Sequence, residues 1–484
     1  MMGGNTGMNG MVYVRGNRND YDNWANMGNH GWDYDSIFHY FLKSENFKGT
    51  LLSPADGAHH STGGPVSVES RRTITAVTPT MIEVAAELGY PIVDGTGPEQ
   101  IGMAPLYTTT RDGVRASASE NFLRPIIHKP NLRVTAKAFV TKVLFDKKKR
   151  AVGVEYDFKG KRRVVLARKE VILSAGALNT PKLLMLSGVG PPQHLTEMGI
   201  PVVAPVEGVG GNLMDHANIY LTWRVRKGTS TSLWDLVSPK TILDYLKNRR
   251  GLLSDTIGLE CNLFVNIGGG EPSWSDMQLS IASLSYAIDR GLLLVPAVDM
   301  KPEIYNNLYE EFFNDETLTI NPCLLRPKSR GSVRLASSNP FDNPVADINY
   351  FDHPDDMKLM IKGVRLAIKI GNTEAVKRNM GAEFQTKLLS PCKHHGADTD
   401  EYWECFIRYT VQSIWHYAGT AKMAPKKDPM GVVSERLRVR GVHGLRVVDA
   451  SIMPLVATSN TMAPTYMIAE KASDMIKQDW GYPT

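Results

Sequence analysis

Glu170-Val171-Ile172-Leu173-Ser174, running on through Gly176-Ala177-Leu178-Asn179 into Thr180-Pro181-Lys182-Leu183-Leu184-Met185-Leu186-Ser187-Gly188-Val189-Gly190, decides the fold. Val171-Ile172-Leu173 is a short continuous apolar run, which predicts a strand buried on both faces. Thr180-Pro181 predicts the start of a helix behind it, and Gly188 to Pro192 its end. Strand, turn and helix in that order make the repeating unit of an α/β domain. The end of the chain repeats the order, with a buried strand at Leu445 to Asp449 and a helix at Thr465 to Gln478. The two units predict one domain interrupted by a second.

Upstream of the deciding stretch, strands are expected at Leu132 to Thr135, Phe139 to Phe145, Ala151 to Tyr156 and Arg163 to Ala167. The basic runs Lys147 to Arg150 and Lys159 to Arg163 fall at their turns and read as solvated hairpin ends, not as a nucleic-acid surface. Earlier still, Asp20 to Ala25 starts a short helix, Asp33 N-caps another through Phe41, and Thr78-Pro79 opens a helix that Gly89 ends. From about 220 to 350 the pattern changes. Trp223 to Val225, Asn262 to Val265, Met277 to Ile281 and Ser332 to Leu335 predict an antiparallel sheet, with helices such as Thr241 to Asn248 and Met357 to Ile370 against it.

The 484 residues are 42% hydrophobic and 22% charged, an ordinary globular balance with ample material for a large core. The formal charge of +5 is spread along the chain. No run of roughly 18 apolar residues occurs, so no membrane span is expected. The Gly- and Asn-rich start carries no charged-then-apolar signal pattern. Of the four cysteines, none shows C-x-x-C spacing. Cys392 and Cys405 flank a polar loop, and bridging or reduced thiols remain equally open. His59-His60 and His394-His395 lack metal-ligand spacing and read as solvated loop residues, so no metal is expected.

Gly208-Val209-Gly210 and Gly188-Val189-Gly190 both lack the third glycine of a dinucleotide fingerprint and read as plain turns. Gly3-Gly4-Asn5-Thr6-Gly7-Met8-Asn9-Gly10 permits close backbone approach to a flat ligand, with Asn and Thr side chains for hydrogen bonds. Together with Met11-Val12-Tyr13 and Arg15-Gly16-Asn17, that run resembles the first signature of the glucose–methanol–choline (GMC) family of FAD-dependent oxidoreductases. Gly176 to Gly190 resembles the second. Gly208 to His216, Arg326 to Gly331, Trp415-His416-Tyr417-Ala418-Gly419-Thr420, Val447 to Ser451 and Ser459-Asn460-Thr461 resemble further family segments. The likeness covers essentially the whole chain and, within the family, the sequence resembles the insect glucose dehydrogenase-like (FAD, quinone) members.

The resemblance implies an α/β (α+β) fold of the FAD-binding GMC type. An FAD-binding part would span 1–220, with substrate-domain insertions near 51–130, and resume at 440–484. A substrate-binding part of antiparallel sheet and helices would span 221–439. It also implies oxidation of an alcohol or sugar CH–OH group, with electrons passing to a quinone or another acceptor. His416 resembles the catalytic base and Asn460 the second catalytic position, which would hydrogen-bond the substrate oxygen. Gly4, Asn9, Gly10, Met11, Val12, Val140, Asp449 and Ala450 resemble cofactor contacts. Pro464 marks the first turn of the last helix, whose dipole would stabilise a reduced flavin. The family places a strand–GxGxxG–helix unit ahead of its first signature, and Met1 stands where that signature begins, so an N-terminally truncated form is expected. On that ground the alternative function is a cofactor-less binding protein or inactive fragment. The family likeness is compatible with secretion.

Overall fold

The computed structural model describes residues 1–483 except 255, 257 and 386. Two hydrophobic cores organise the chain. The first gathers side chains from 13–68, 107, 143–214 and 418–472, with Leu335. The second gathers them from 77–103 and 217–407. Residues 418–439, which the sequence expectation places in the substrate-binding part, pack in the first core. The N–H groups of Gly419, Ala421 and Met423 donate to the carbonyls of Ala450, Ser451 and Ile452, which ties that segment to the short turn Ala450–Ile452 after the C-terminal strand.

In the first core the strand Val171–Leu173 lies parallel to Leu445–Val447, with Val171 opposite Leu445 and Leu173 opposite Val447. The two predicted strand–helix units therefore stand side by side. The helix behind the first runs Gly176–Leu186, so it begins ahead of Thr180 and encloses Pro181. Two tertiary contacts account for the earlier start. Asp449 Oδ2 accepts the Gly176 N–H at 2.8 Å and the Thr180 hydroxyl at 2.6 Å, which satisfies a helix start from another element. The Ala177 carbonyl, left without a donor by Pro181, accepts the Thr420 hydroxyl at 2.6 Å.

Val171 and Leu173 are buried, but Ile172 is 43% exposed, so this strand is covered on one face only. Ile172 lines an open apolar trough of about 420 Å³ together with Val140, Val165, Leu166 and Ala175. The antiparallel sheet Ala138–Phe145, Ala151–Phe158 and Lys161–Leu166 forms the other wall. The segment expected as a strand at Leu132 to Thr135 forms none.

The second core is a sheet in the order Glu383–Phe384, Leu221–Val225, Glu316–Leu324, Met277–Ala282, Leu259–Val265, Gly102–Pro105, all antiparallel. Side chains alternate across it. Leu221, Trp223, Leu263, Leu279, Ile281 and Ile320 join the core with residues of the helices Pro354–Gly371 and Val77–Leu88. The latter starts ahead of the expected Thr78 because the Glu260 carboxylate caps it, accepting from the Thr78 N–H at 3.2 Å and the Thr75 and Thr78 hydroxyls at 2.7 Å. The opposite face carries Asn262, Gln278, Ser280 and Asn321. On that side Ala104, Phe264 and Cys323 cluster with Val12 and Val14 of the N-terminal segment and with Ile414, and this contact is the seam between the two cores. Cys392 and Cys405 form a disulfide that ties the turn Ser390–His395 to the helix Asp400–Thr410. Cys261 and Cys323 are free and buried.

Candidate active site

His416 and Asn460 meet at the seam, with Asn460 Nδ2 3.3 Å from His416 Nε2. His416 is buried and sits on a loop held from several sides. Its own N–H donates to Asp215 Oδ1 at 2.8 Å. Asp215 Oδ2 accepts the Ser413 hydroxyl at 2.6 Å and the Tyr350 hydroxyl. Burial lifts the Asp215 carboxyl to about 6, against the pull of those hydrogen bonds. Trp415 adopts φ 59° and Gly419 φ 90°. A Cβ on Gly419 would lie 2.4 Å from the Asn212 carbonyl, so glycine is required there and Trp415 carries local strain beside the histidine.

The partner of His416 on its other side is His216, Nδ1 to Nδ1 at 2.9 Å. His216 Nε2 lies 3.1 Å from the Leu325 carbonyl. A carbonyl only accepts, so His216 Nε2 carries the proton. Burial pushes the His216 imidazole down to about 4, so it is neutral at physiological pH and its Nδ1 is bare. That bare nitrogen can only accept, which places the His416 proton on Nδ1. His416 Nε2 then carries the lone pair, where the Asn460 amide Nδ2–H donates at 3.3 Å. Burial, reinforced by His216, also holds His416 well below the ordinary imidazole value. The arrangement can take a proton from a hydroxyl presented at Nε2.

The N-terminal segment closes in beside this pair. Asn9 Oδ1 accepts the Met11 N–H at 3.1 Å and Arg115 at 3.0 Å, while its Nδ2 lies 3.2 Å from the Met462 sulfur. That turn throws Met11 to φ 60°, and the Met11 carbonyl accepts from the Thr109 N–H at 2.8 Å. Gly10 faces Leu259, and Val12 bridges to Thr108. Gly4 lies in a short turn with φ 55° and open space where a Cβ would stand. Met462 opens the last helix, Met462–Asp479, whose N-terminus has no side-chain cap. Pro464 lies in its first turn, where a missing N–H leaves no helix bond unmade.

Asp449 and Ala450 sit at the end of the Leu445–Val447 strand, but the Asp449 carboxylate is fully engaged. Oδ2 serves Gly176 and Thr180, and Oδ1 accepts the Ser451 N–H at 2.8 Å. Val140 stands apart, on the trough next to Ala175. In the sequence His216 stands only within a family-like segment, with no role of its own. The side chain of His60, expected in solvent, is 4% exposed, with Nε2 2.7 Å from Asp94 and Nδ1 3.2 Å from Glu45. Glu45 also holds the buried Arg15 at 2.7 Å.

Fold and site together define a two-core α/β scaffold with a neutral, base-bearing site at its seam. Two models of the GMC oxidoreductase family match the chain, one over residues 1–218 and one over 327–469. The chain is 36% identical over 485 residues to glucose dehydrogenase [FAD, quinone] of Drosophila pseudoobscura pseudoobscura, covering 99% of this chain and 74% of that protein. It is 35% identical to the oxygen-dependent choline dehydrogenase of Brucella ovis, covering 98% and 81%. Among solved structures, formate oxidase of Aspergillus oryzae superposes with a TM-score of 0.86 at 25% identity, over 99% of this chain and 84% of that one. An FAD-dependent oxidoreductase from Chaetomium thermophilum gives 0.81 at 27%, over 99% and 86%. The chain belongs to the GMC oxidoreductase family.

Two features of the seam fit a bound flavin. Asn460 Oδ1 is buried with no hydrogen-bond partner. The uncapped start of the last helix leaves N–H groups, the positive end of its dipole, available for an electron-rich ring.

Proposed function

We propose that this chain oxidises the CH–OH group of an alcohol or sugar with FAD held at the seam. FAD, when bound, supplies the acceptor for the hydride that leaves the carbinol carbon. His416 Nε2 takes the hydroxyl proton, and Asn460 orients the substrate oxygen. His216 holds the Nδ1 proton of His416 in place so that the base keeps one tautomer. Asn9 to Val12 and the first turn of the Met462–Asp479 helix form the cofactor's bed, with Gly4 leaving room for close approach. Asp449 and Ala450 contribute through backbone, because the carboxylate is spent within the protein. Val140 belongs to the trough, the second place where cofactor contact is assigned.

The observation that carries this reading is the neutral His216–His416 relay, which leaves one bare imidazole nitrogen beside a buried amide. The polar sheet face supports a neutral hydroxylated substrate. Asn262 Oδ1 accepts from Gln278 and Ser280, while Asn262 Nδ2 and Asn321 Oδ1 are buried without partners. Carboxamides offer donors and acceptors without charge, which suits a polyol. A quinone acceptor is favoured by the likeness to the Drosophila glucose dehydrogenase [FAD, quinone].

The test is a visible absorption spectrum after incubation with FAD and desalting, followed by anaerobic addition of sugars and simple alcohols. A retained flavin that bleaches with one of them supports the reading. A folded chain that keeps no flavin favours the cofactor-free binding protein instead.

A further inference from the structure

Two short helices, Leu233–Val237 and Pro239–Asn248, stand between the strands Leu221–Val225 and Leu259–Val265. Each has its own cap: Asp235 and Ser232 form a capping box, and the Ser238 hydroxyl accepts the Thr241 N–H at 3.2 Å. Both helices are therefore locally well made. The second reads PKTILDYLKN, with apolar residues at 239, 242, 243 and 246, the spacing of one helix face.

In a helix packed on a core that face points inward. Here it points out. Ile242, Leu243 and Leu246 are 41%, 51% and 59% exposed, and Trp234 on the preceding helix is 68% exposed with Val237 at 52%. The positions turned toward the protein are Thr241, Asp244 and Tyr245. A patterned apolar stripe that faces solvent is a docking surface, not a scatter of stray side chains.

Its charge says what covers it. Lys240, Lys247, Arg249 and Arg250 are all exposed around the stripe. The two carboxylates of the described hairpin are taken locally, Asp235 by Ser232 and Asp244 by Asn248 at 2.7 Å. Twofold pairing with a second copy would set this basic rim against its own image. An anionic lipid surface fits both parts at once: the indole and the Leu and Ile side chains enter the acyl boundary, and the long basic side chains reach the head groups. No helix among the described residues is long and apolar enough to cross a membrane, and this mode needs none. We infer that the 233–250 hairpin is an interfacial anchor that seats the protein in-plane on an anionic bilayer. The inference goes beyond the proposed oxidation and does not depend on it.

The full chain is floated with vesicles of phosphatidylcholine containing about 30 mol% phosphatidylserine and with phosphatidylcholine alone. The expected result is co-flotation with the anionic vesicles, weakened by salt. Trp234→Glu with Leu246→Glu should weaken it about tenfold or more, with unchanged thermal unfolding. Lys240→Ser with Lys247→Ser and Arg250→Ser should remove the preference for phosphatidylserine, and serves as the second test should the first variant unfold. Absence of co-flotation with either vesicle overturns the inference, as does binding that both variants leave intact. A concentration-dependent dimer in sedimentation, abolished by Leu246→Glu, would assign the surface to a second copy and overturn it too.

Discussion

Two histidines with covered side chains, His60 and His416, sit in opposite electrical surroundings. His60 lies between the carboxylates of Glu45 and Asp94, with Arg15 on the far side of Glu45. Burial works against its charge, but Asp94 and Glu45 outweigh burial and its pKa is raised. His416 faces another imidazole and an amide, and its pKa is lowered. The first site uses histidine as a charged fastener that joins the segments carrying Glu45, His60 and Asp94. The second keeps histidine neutral, with one proton parked against His216 and one lone pair turned to the Asn460 amide. The same side chain becomes structural glue or a base according to whether a carboxylate is in reach.

The fastener can be broken by Arg15→Met, which leaves the buried Glu45 carboxylate with His60 and the Ser61 N–H but without its guanidinium. A loss of about 3–5 kcal/mol in unfolding free energy is expected, the usual result of removing one partner of a buried pair. Denaturant unfolding measures it, and a loss under about 1 kcal/mol would mean that the cluster is already solvated.

The base can be weakened without being touched. His216→Leu removes the acceptor for the His416 Nδ1 proton, and alcohol-driven turnover should fall roughly 10²-fold. His216→Gln keeps one donor and one acceptor and should recover most of it. Equal loss in both variants would reduce His216 to a packing residue. The separate readout is the imidazole nitrogen NMR of His416, which should show the Nδ1–H tautomer in wild type and a mixture in His216→Leu.

The two histidines also separate by pH. A raised folded pKa means that the stability from His60 is fully present below the unfolded value near ~6.5 and is lost as pH rises through the folded one. Glu45 and Asp94 are lowered, Glu45 because Arg15 and His60 outweigh its burial and Asp94 because His60 and Thr96 outweigh its own, so their share is lost as pH falls below about 4. The melting-temperature difference between wild type and His60→Gln should be widest near about pH 5–6.5 and shrink toward about pH 9. A gap that widens with pH contradicts the pairing. For His416 the sign is opposite: the neutral form persists below the ordinary imidazole value, so the acid limb of kcat/KM should lie well below pH ~6.5.

How legible was this in sequence? The strand–helix units, most of the antiparallel sheet and the last helix follow from periodicity, but Ile172 lies open on a strand whose apolar run predicts burial on both faces, and Ser332–Arg334 pairs with Val345–Asp347 outside the main sheet. The helix starts at Gly176 and Val77 do not follow from periodicity, because their caps come from Asp449 and Glu260, far away in the chain. Pro181 marks no boundary for the same reason: Thr420 takes up the carbonyl it frees. At the site, His416 and Asn460 could be singled out by resemblance, but His216 is 200 residues from its partner and local spacing holds no trace of their contact. Asp449 stands at the predicted strand end, yet its carboxylate is taken by Gly176, Thr180 and Ser451 of the protein itself. His60 carried no signal beyond a polar loop, since both carboxylates that bury it lie on other segments.

The most direct test of the account is anaerobic flavin bleaching by an alcohol or sugar substrate in wild type and His416→Ala. Both proteins are expected to hold FAD, and the variant to reduce it about 10²–10⁴-fold more slowly. Bleaching at the wild-type rate would contradict it.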